Sequence, residues 1–242
     1  LPDLSLQESQ VDVMADALCY TGARELATAI RGRKVSARDV MTAFLAQINR
    51  LNPALNAIVA KLDDQSCLAL ADAADRALAS GRPVGPLHGL PIAFKDLEAA
   101  VGFPCTKGSP LFQHVMPAED SVIVERLRQA GTIPIGKTNV PEFGMGSHTY
   151  NRVYGTTFNP YDRTKSAGGS SGGAGAAIAA GMLPLADGGD LGGSLRNPAN
   201  FNNIVALRPT VGLGPIAPTL MPLVGVSVKG PLARSVADVA FM

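Results

Sequence analysis

The feature that most constrains this chain is where its glycines sit. They crowd into Ala167 to Gly181, AGGSSGGAGAAIAAG, and into Gly188 to Gly193 within GGDLGGSLR. The first stretch begins like a flexible linker and continues like an alanine helix, which a true linker does not do. It reads as a glycine loop feeding a helix N-terminus, where free backbone N–H groups collect. The second stretch puts glycines immediately before Ser194. The chain can turn there with its N–H groups aimed at one point, as an oxyanion hole requires. Either cluster alone reads as a turn. Two clusters, each centred on a serine and each preceded by a lysine at a strand end, favour a site.

Composition removes several classes. With 46% hydrophobic residues in 242, the chain can build a real core and is far too apolar for disorder. Lys+Arg number 21 against 20 Asp+Glu, so the net charge of +1 gives no footprint for nucleic acid or an anionic membrane. Cys19, Cys67 and Cys105 are an odd number without C-x-x-C spacing or a nearby histidine pair. They read as reduced, buried thiols, and neither a disulfide framework nor a metal site is expected. No cofactor motif survives scrutiny. The first twenty residues lack a basic segment followed by an apolar run, and no apolar run is long enough to span a membrane. A cytoplasmic protein without membrane contact is the expectation.

Helical spacing of apolar residues predicts helices over Ala23–Arg31 and Ala37–Leu51, with Ser36 as the second cap and Asn52-Pro53 as the stop. Further helices are expected at Leu68–Ala79 and Ser121–Ala130. Short apolar runs predict strands at Asn56–Ala60, Leu90–Phe94 and Thr132–Ile135, the second ending at Lys95-Asp96. Helices and buried strands alternate, so one α/β domain over residues 1–242 is expected.

Two matching motifs fail on context. Gly131 to Thr138, GTIPIGKT, fits the phosphate-loop pattern, but the helix precedes it, the variable residues are strand formers and Pro141 follows. It reads as a strand with Lys137 just past its end. Gly168 to Gly172, GGSSG, fits the nucleophile-elbow pattern, yet the segment before it, Asp162 to Ser166, is polar. That architecture also needs a histidine after the serine, and His88, His114 and His148 all come before Ser170. If a serine acts here, something other than histidine activates it.

GLPIAFKD (Gly89 to Asp96), SAGGSSGGAGAAIAAG (Ser166 to Gly181) and DLGGSLRNPANF (Asp190 to Phe201) resemble, in order and spacing, the signature blocks of the amidase signature family of hydrolases. GKTNVPEFGMGSHT and GPLARSVADVA are similar to that family too, and the likeness runs from about Ala23 to Met242. The resemblance implies an α/β fold with a mixed central sheet covered by helices on both faces. It implies a Ser-Ser-Lys triad in which Ser194 is the nucleophile, Ser170, after a cis peptide bond from Gly169, is the bridge, and Lys95 is the base. Gly172 and Gly173 would ease that cis geometry. N–H groups of Leu191, Gly192, Gly193 and Ser194 would form the oxyanion hole. Lys95 must then be neutral, hence buried where desolvation lowers its pKa; the bland alternative is a surface pair with Asp96. Ser171 is expected only to cap the following helix, Asp190 and Arg196 to hold the loop, and His148 to be a hydrogen-bonded structural histidine.

Two departures stand out. Many relatives carry threonine five residues before the nucleophile, where this chain has Gly189. The sequence also stops at Met242, so it reads as the N-terminal part of such an enzyme. The expected activity is hydrolysis of a small-molecule amide, with a homodimer left open. The alternatives are the amidase component of a tRNA-dependent amidotransferase, or a non-catalytic scaffold whose glycine loops are structural or bind an anion near Gly172.

Overall fold

A computed structural model describes residues 17–214, 216–217 and 225–242; the N-terminal stretch read as lacking a leader lies, up to residue 16, outside them. After helical residues 17–20 come two amphipathic helices, α1 (Ala23–Arg31) and α2 (Ala37–Leu55). Ser36 caps α2 in a reciprocal capping box with Asp39. The helix runs past the expected stop, with Pro53 in its last turn, and Asn56, left-handed at φ 50°, ends it instead. The Asn52 side chain accepts from the N–H groups of Ala57 and Ile58 and fixes the exit.

Only Ile58–Val59 of the next run pairs as a strand, β1, since Ala60 turns to φ 45°. Helix α3 (Asp64–Ala79) starts a turn earlier than its apolar pattern suggests, because Asp63 caps it by accepting from Ser66 N–H. Strand β2 (Pro91–Lys95), helix α4 (Val122–Gln129) and strand β3 (Ile133–Thr138) follow. Lys137 therefore lies inside β3, fully buried, and no α-helix follows directly, so the phosphate-loop match is a strand.

β3 pairs with β1 antiparallel and with β2 in parallel. A bulge between Ile92 and Ala93 accommodates Pro134, which has no N–H for the ladder. Every residue of β2 and β3 is buried. Successive strand residues face opposite sides, so both faces of this half are covered.

After a short hairpin, β4 (Tyr150–Asn151) and β5 (Gly155–Thr156), come helix α5 (Gly172–Ala179), strand β6 (Leu185–Asp190), helix α6 (Arg196–Phe201), strands β7 (Val205–Ala206) and β8 (Val228–Ala233), and helix α7 (Val236–Phe241). β8 pairs antiparallel with both β6 and β7. The expected mixed sheet is thus present as a mixed half and an antiparallel half. At their seam the Asp187 carboxylate on β6 accepts from Lys95 N–H on β2 at 3.0 Å. Helix α5 packs on strands of both halves, and its glycines and alanines admit that closeness. Most of the buried apolar side chains form one contiguous cluster from Cys19 to Leu232. All three cysteines are buried, as expected, and none is joined in a disulfide. Among the described residues no helix is long and apolar enough to cross a membrane, and no cluster of His, Cys, Asp or Glu could hold a metal ion.

Candidate active site

Because β2 is buried along its whole length, its last side chain emerges inside the protein. Lys95 is 1% exposed, and its Nζ lies 2.8 Å from Ser170 Oγ, 2.7 Å from Ser171 Oγ and 3.4 Å from Gly189 O. Burial lowers its pKa to about 7, Lys229 adds to that by repulsion, and Asp187, Glu98 and Asp190 oppose it. The surface pair with Asp96 does not form. Asp96 is itself buried, accepts from Thr106 N–H and Oγ1 and lies 3.8 Å from Lys137 Nζ.

Ser170 follows a cis peptide bond from Gly169 and is 3% exposed. Ser171 stands at the N-cap position of α5 but its hydroxyl makes no capping bond, which corrects the expectation. Lys95 Nζ donates to that hydroxyl instead. The first amides of α5 are occupied otherwise: Gly172 N–H donates to Thr149 Oγ1 at 3.1 Å and Gly173 N–H to Asn139 O at 3.2 Å. Those amides are therefore not free for an anion. The same contacts explain why both residues are glycine. A Cβ at 172 would sit 2.3 Å from Thr149 Oγ1, and one at 173 would sit 2.3 Å from Asn139 N. Close packing, rather than the cis geometry, requires them.

β6 carries the second glycine cluster to the same place. Asp190, fully buried at its end, accepts from the N–H groups of Gly193, Leu195 and Arg196 and from the Arg196 guanidinium, with Arg208 Nε at 3.4 Å. Burial alone would raise this carboxyl, but the bonds from Arg196, Leu195 and Gly193 outweigh it and hold the pKa near about 2. Asp190 thus holds the loop as expected, while the Arg196 side chain is half exposed. Gly193, at φ 128°, makes a turn that L side chains rarely adopt. Its N–H is committed to Asp190, which corrects the expected four-amide oxyanion hole. The N–H groups of Leu191, Gly192 and Ser194 have no acceptor among the described residues. Ser194 is half-buried, and its hydroxyl makes no hydrogen bond among them either.

Lys95, Ser170, Leu191, Gly192 and Ser194 nonetheless line one cavity of about 610 Å³, rimmed by the exposed side chains of Phe143 and Met145. The three residues expected to form a triad are thus brought to one cavity, but no Ser194 to Ser170 hydrogen bond is made. His148 bonds Ser166 Oγ at 2.7 Å and does not line the cavity. Sequence reasoning missed four groups around Lys95: Ser171, Asp187, Glu98 and Lys229. The last stands opposite Gly189 in the β6–β8 ladder, and its Nζ lies 3.6 Å from where a Cβ at 189 would be. The place of the usual threonine side chain is thus bordered by a lysine from the neighbouring strand.

The Amidase family model matches residues 39–242. The chain is 42% identical over 233 residues to a glutamyl-tRNA(Gln) amidotransferase subunit from Acidothermus cellulolyticus, covering 95% of this chain and 45% of that protein. It is 42% identical over 221 residues to the indoleacetamide hydrolase of Bradyrhizobium diazoefficiens, covering 89% of this chain and 42% of the relative. A bacterial aryl acylamidase of the amidase signature family superposes with a TM-score of 0.85 at 32% identity, over 92% of this chain and 46% of the other. The chain therefore spans less than half the length of these relatives. The family match over residues 39–242 joins a buried lysine on two serine hydroxyls and a glycine turn before Ser194: the chain belongs to the amidase signature family.

Proposed function

We propose that residues 1–242 are the N-terminal portion of a single amidase domain, and that the protein cleaves the C–N bond of a small-molecule amide through an acyl-enzyme on Ser194, with no cofactor. The observation that carries this reading is the buried Lys95 Nζ at 2.8 Å from Ser170 Oγ, in the cavity that Ser194 also lines. A lysine with a pKa of about 7 is half neutral near pH 7 and can act as a base. Ser194 Oγ attacks the amide carbonyl, its proton moves to Ser170 Oγ, and the Ser170 proton moves to Lys95 Nζ. The unpaired N–H groups of Leu191, Gly192 and Ser194 hold the oxyanion. Collapse expels the amine, which takes a proton from Ser170 as Lys95 reprotonates it. Water then attacks the acyl-enzyme and releases the acid and Ser194.

A second reading rests on the likeness to an amidotransferase subunit over 95% of this chain. There the same steps act on glutamine and the ammonia passes to a partner protein. An amide panel assayed for ammonia release separates the two: turnover of aryl or alkyl amides without a partner supports the hydrolase, and turnover of glutamine alone supports the amidotransferase component.

The chemistry itself is tested with a serine-reactive fluorophosphonate and mapping of the adduct. Labelling at Ser194 that vanishes in Ser194→Ala is the expected result. A folded protein with no label at Ser194 overturns the assignment.

A further inference from the structure

The surroundings of Lys95 contain an imbalance that the triad does not explain. Three carboxylates act on it: Asp187 and Asp190 from β6, and Glu98 from the segment after β2. Each of them stabilises the ammonium form, which cannot accept a proton. The other nearby charges are already engaged elsewhere. Asp96 bonds Thr106, and Lys137 from β3 donates to Glu98 O and faces Asp96. Helix α5 contributes only the Ser170 and Ser171 hydroxyls that precede it. On the opposing side stands Lys229 from β8.

Its position follows from a missing side chain. In the β6–β8 ladder Lys229 is the direct partner of Gly189, whose carbonyl lies 3.4 Å from Lys95 Nζ. A Cβ at 189 would lie 3.6 Å from Lys229 Nζ and 3.7 Å from its Cδ. Any longer side chain at 189 would enter the space the lysine uses. Lys229 is only 15% exposed, pairs with Glu98, and lines both the catalytic cavity and a neighbouring one of about 260 Å³. Glu98 is in turn held by Ser121 Oγ at 3.1 Å. The pair therefore forms part of the wall between the two cavities, with its cation also facing the catalytic one.

We propose that Lys229 is a positioning residue for the triad: admitted by glycine at 189, its ammonium acts through space to keep Lys95 in the neutral, proton-accepting form. It does so by like-charge repulsion, which offsets the opposing field of the Glu98 carboxylate it pairs with. This role rests on Lys95 being the base of the proposed amidase, and it matters because burial alone must otherwise offset three carboxylates. Burial is the largest cause of the low Lys95 pKa, and Lys229 is the next.

The test reads Lys95 itself, independently of turnover. Protein labelled with ¹³C at lysine Cε is titrated by NMR, with the Lys95 signal assigned by its absence in Lys95→Arg. The wild-type midpoint is expected near about 7. Lys229→Met should raise it by about one pH unit or more, and Lys229→Arg, which keeps the charge, should restore it. The acid limb of Ser194 labelling against pH should move by the same amount. An unchanged midpoint in Lys229→Met overturns the proposal. If burying an unpaired Glu98 prevents folding, Lys229→Met with Glu98→Gln replaces it. A midpoint above that of Glu98→Gln alone supports the role, and one at or below that of Glu98→Gln alone overturns it. Absence of Ser194 labelling at every pH would instead defeat the amidase reading while the NMR midpoint still answers for Lys229.

Discussion

The two serine loops meet at one cavity but are built in opposite ways. On the Ser170 side, Lys95, Ser170 and Ser171 are 1%, 3% and 0% exposed, and the lysine bonds both hydroxyls. On the Ser194 side, Leu191 is 66% exposed, Ser194 makes no side-chain bond among the described residues, and the Asp190 carboxylate gathers the amides that follow. The base half is therefore held by core burial, which desolvates it and tunes its proton affinity. The nucleophile half is held by one buried acceptor, which leaves amides and a hydroxyl facing the open cavity. The halves also answer differently to acid. Lys95, lowered to about 7, gains its proton as the pH falls through 7. Asp190, lowered to about 2 from 3.8, contributes its stabilisation above 3.8 and loses it only as the pH falls through about 2.

The largest expected effect comes from breaking the base half. Lys95→Ala should slow fluorophosphonate labelling of Ser194 by about 10²–10⁴-fold, the usual share of general base catalysis. In the wild type the labelling rate should fall between pH 8 and pH 5 while the melting temperature shows no loss of the Asp190 clamp. A rate that stays level over that interval contradicts the role of Lys95.

The nucleophile half is broken at its clamp. Asp190→Ala deprives the buried N–H groups of Gly193 and Leu195 of their acceptor, at about 1–3 kcal/mol each. Thermal unfolding should show a loss of that size, and Ser194 labelling should fall because the turn through Gly193 loosens. If Asp190→Ala melts like a surface substitution, the loop is held by something else and the contrast between the halves weakens.

What is legible in the sequence divides along the same physical line. Features set by neighbours in the chain can be read from it: the Ser36 cap, the alternation of helix and strand, the burial of the 90–94 run, and the glycine turn into Ser194. The proposed triad is legible because each of its residues sits inside a contiguous block that resembles a known family. Features set by partners far along the chain are not. Pro53 reads as a stop, yet the helix runs on to Leu55, where Asn56 closes it in the left-handed region and the Asn52 side chain takes the N–H groups of Ala57 and Ile58. Ser171 reads as a cap because its neighbours are a helix start, but a buried ammonium from 76 residues away binds its hydroxyl instead. Lys229 becomes visible only with the β6–β8 register that sets it opposite Gly189. The two halves of the sheet are not separable in sequence either, because the Asp187 to Lys95 bond that bridges their seam is a side-chain contact without sequence periodicity.

The smallest effect gives the finest discrimination within the base half. Ser171 is fully buried, and its hydroxyl accepts from Lys95 Nζ at 2.7 Å. Ser171→Ala removes one of two hydroxyl partners of the Lys95 amine and leaves Ser170 as the other. The loss of one hydrogen bond, about 1 kcal/mol, should slow labelling at pH 8 by about fivefold through poorer orientation of Nζ. The pH dependence separates this from an electrostatic change. A hydroxyl that accepts from the ammonium favours the charged form, so its removal should move the acid limb of the labelling profile to lower pH, opposite to Lys229→Met. A slower rate with an upward-moving limb would mean that Ser171 donates to the neutral amine instead, and an unchanged profile would reduce it to packing.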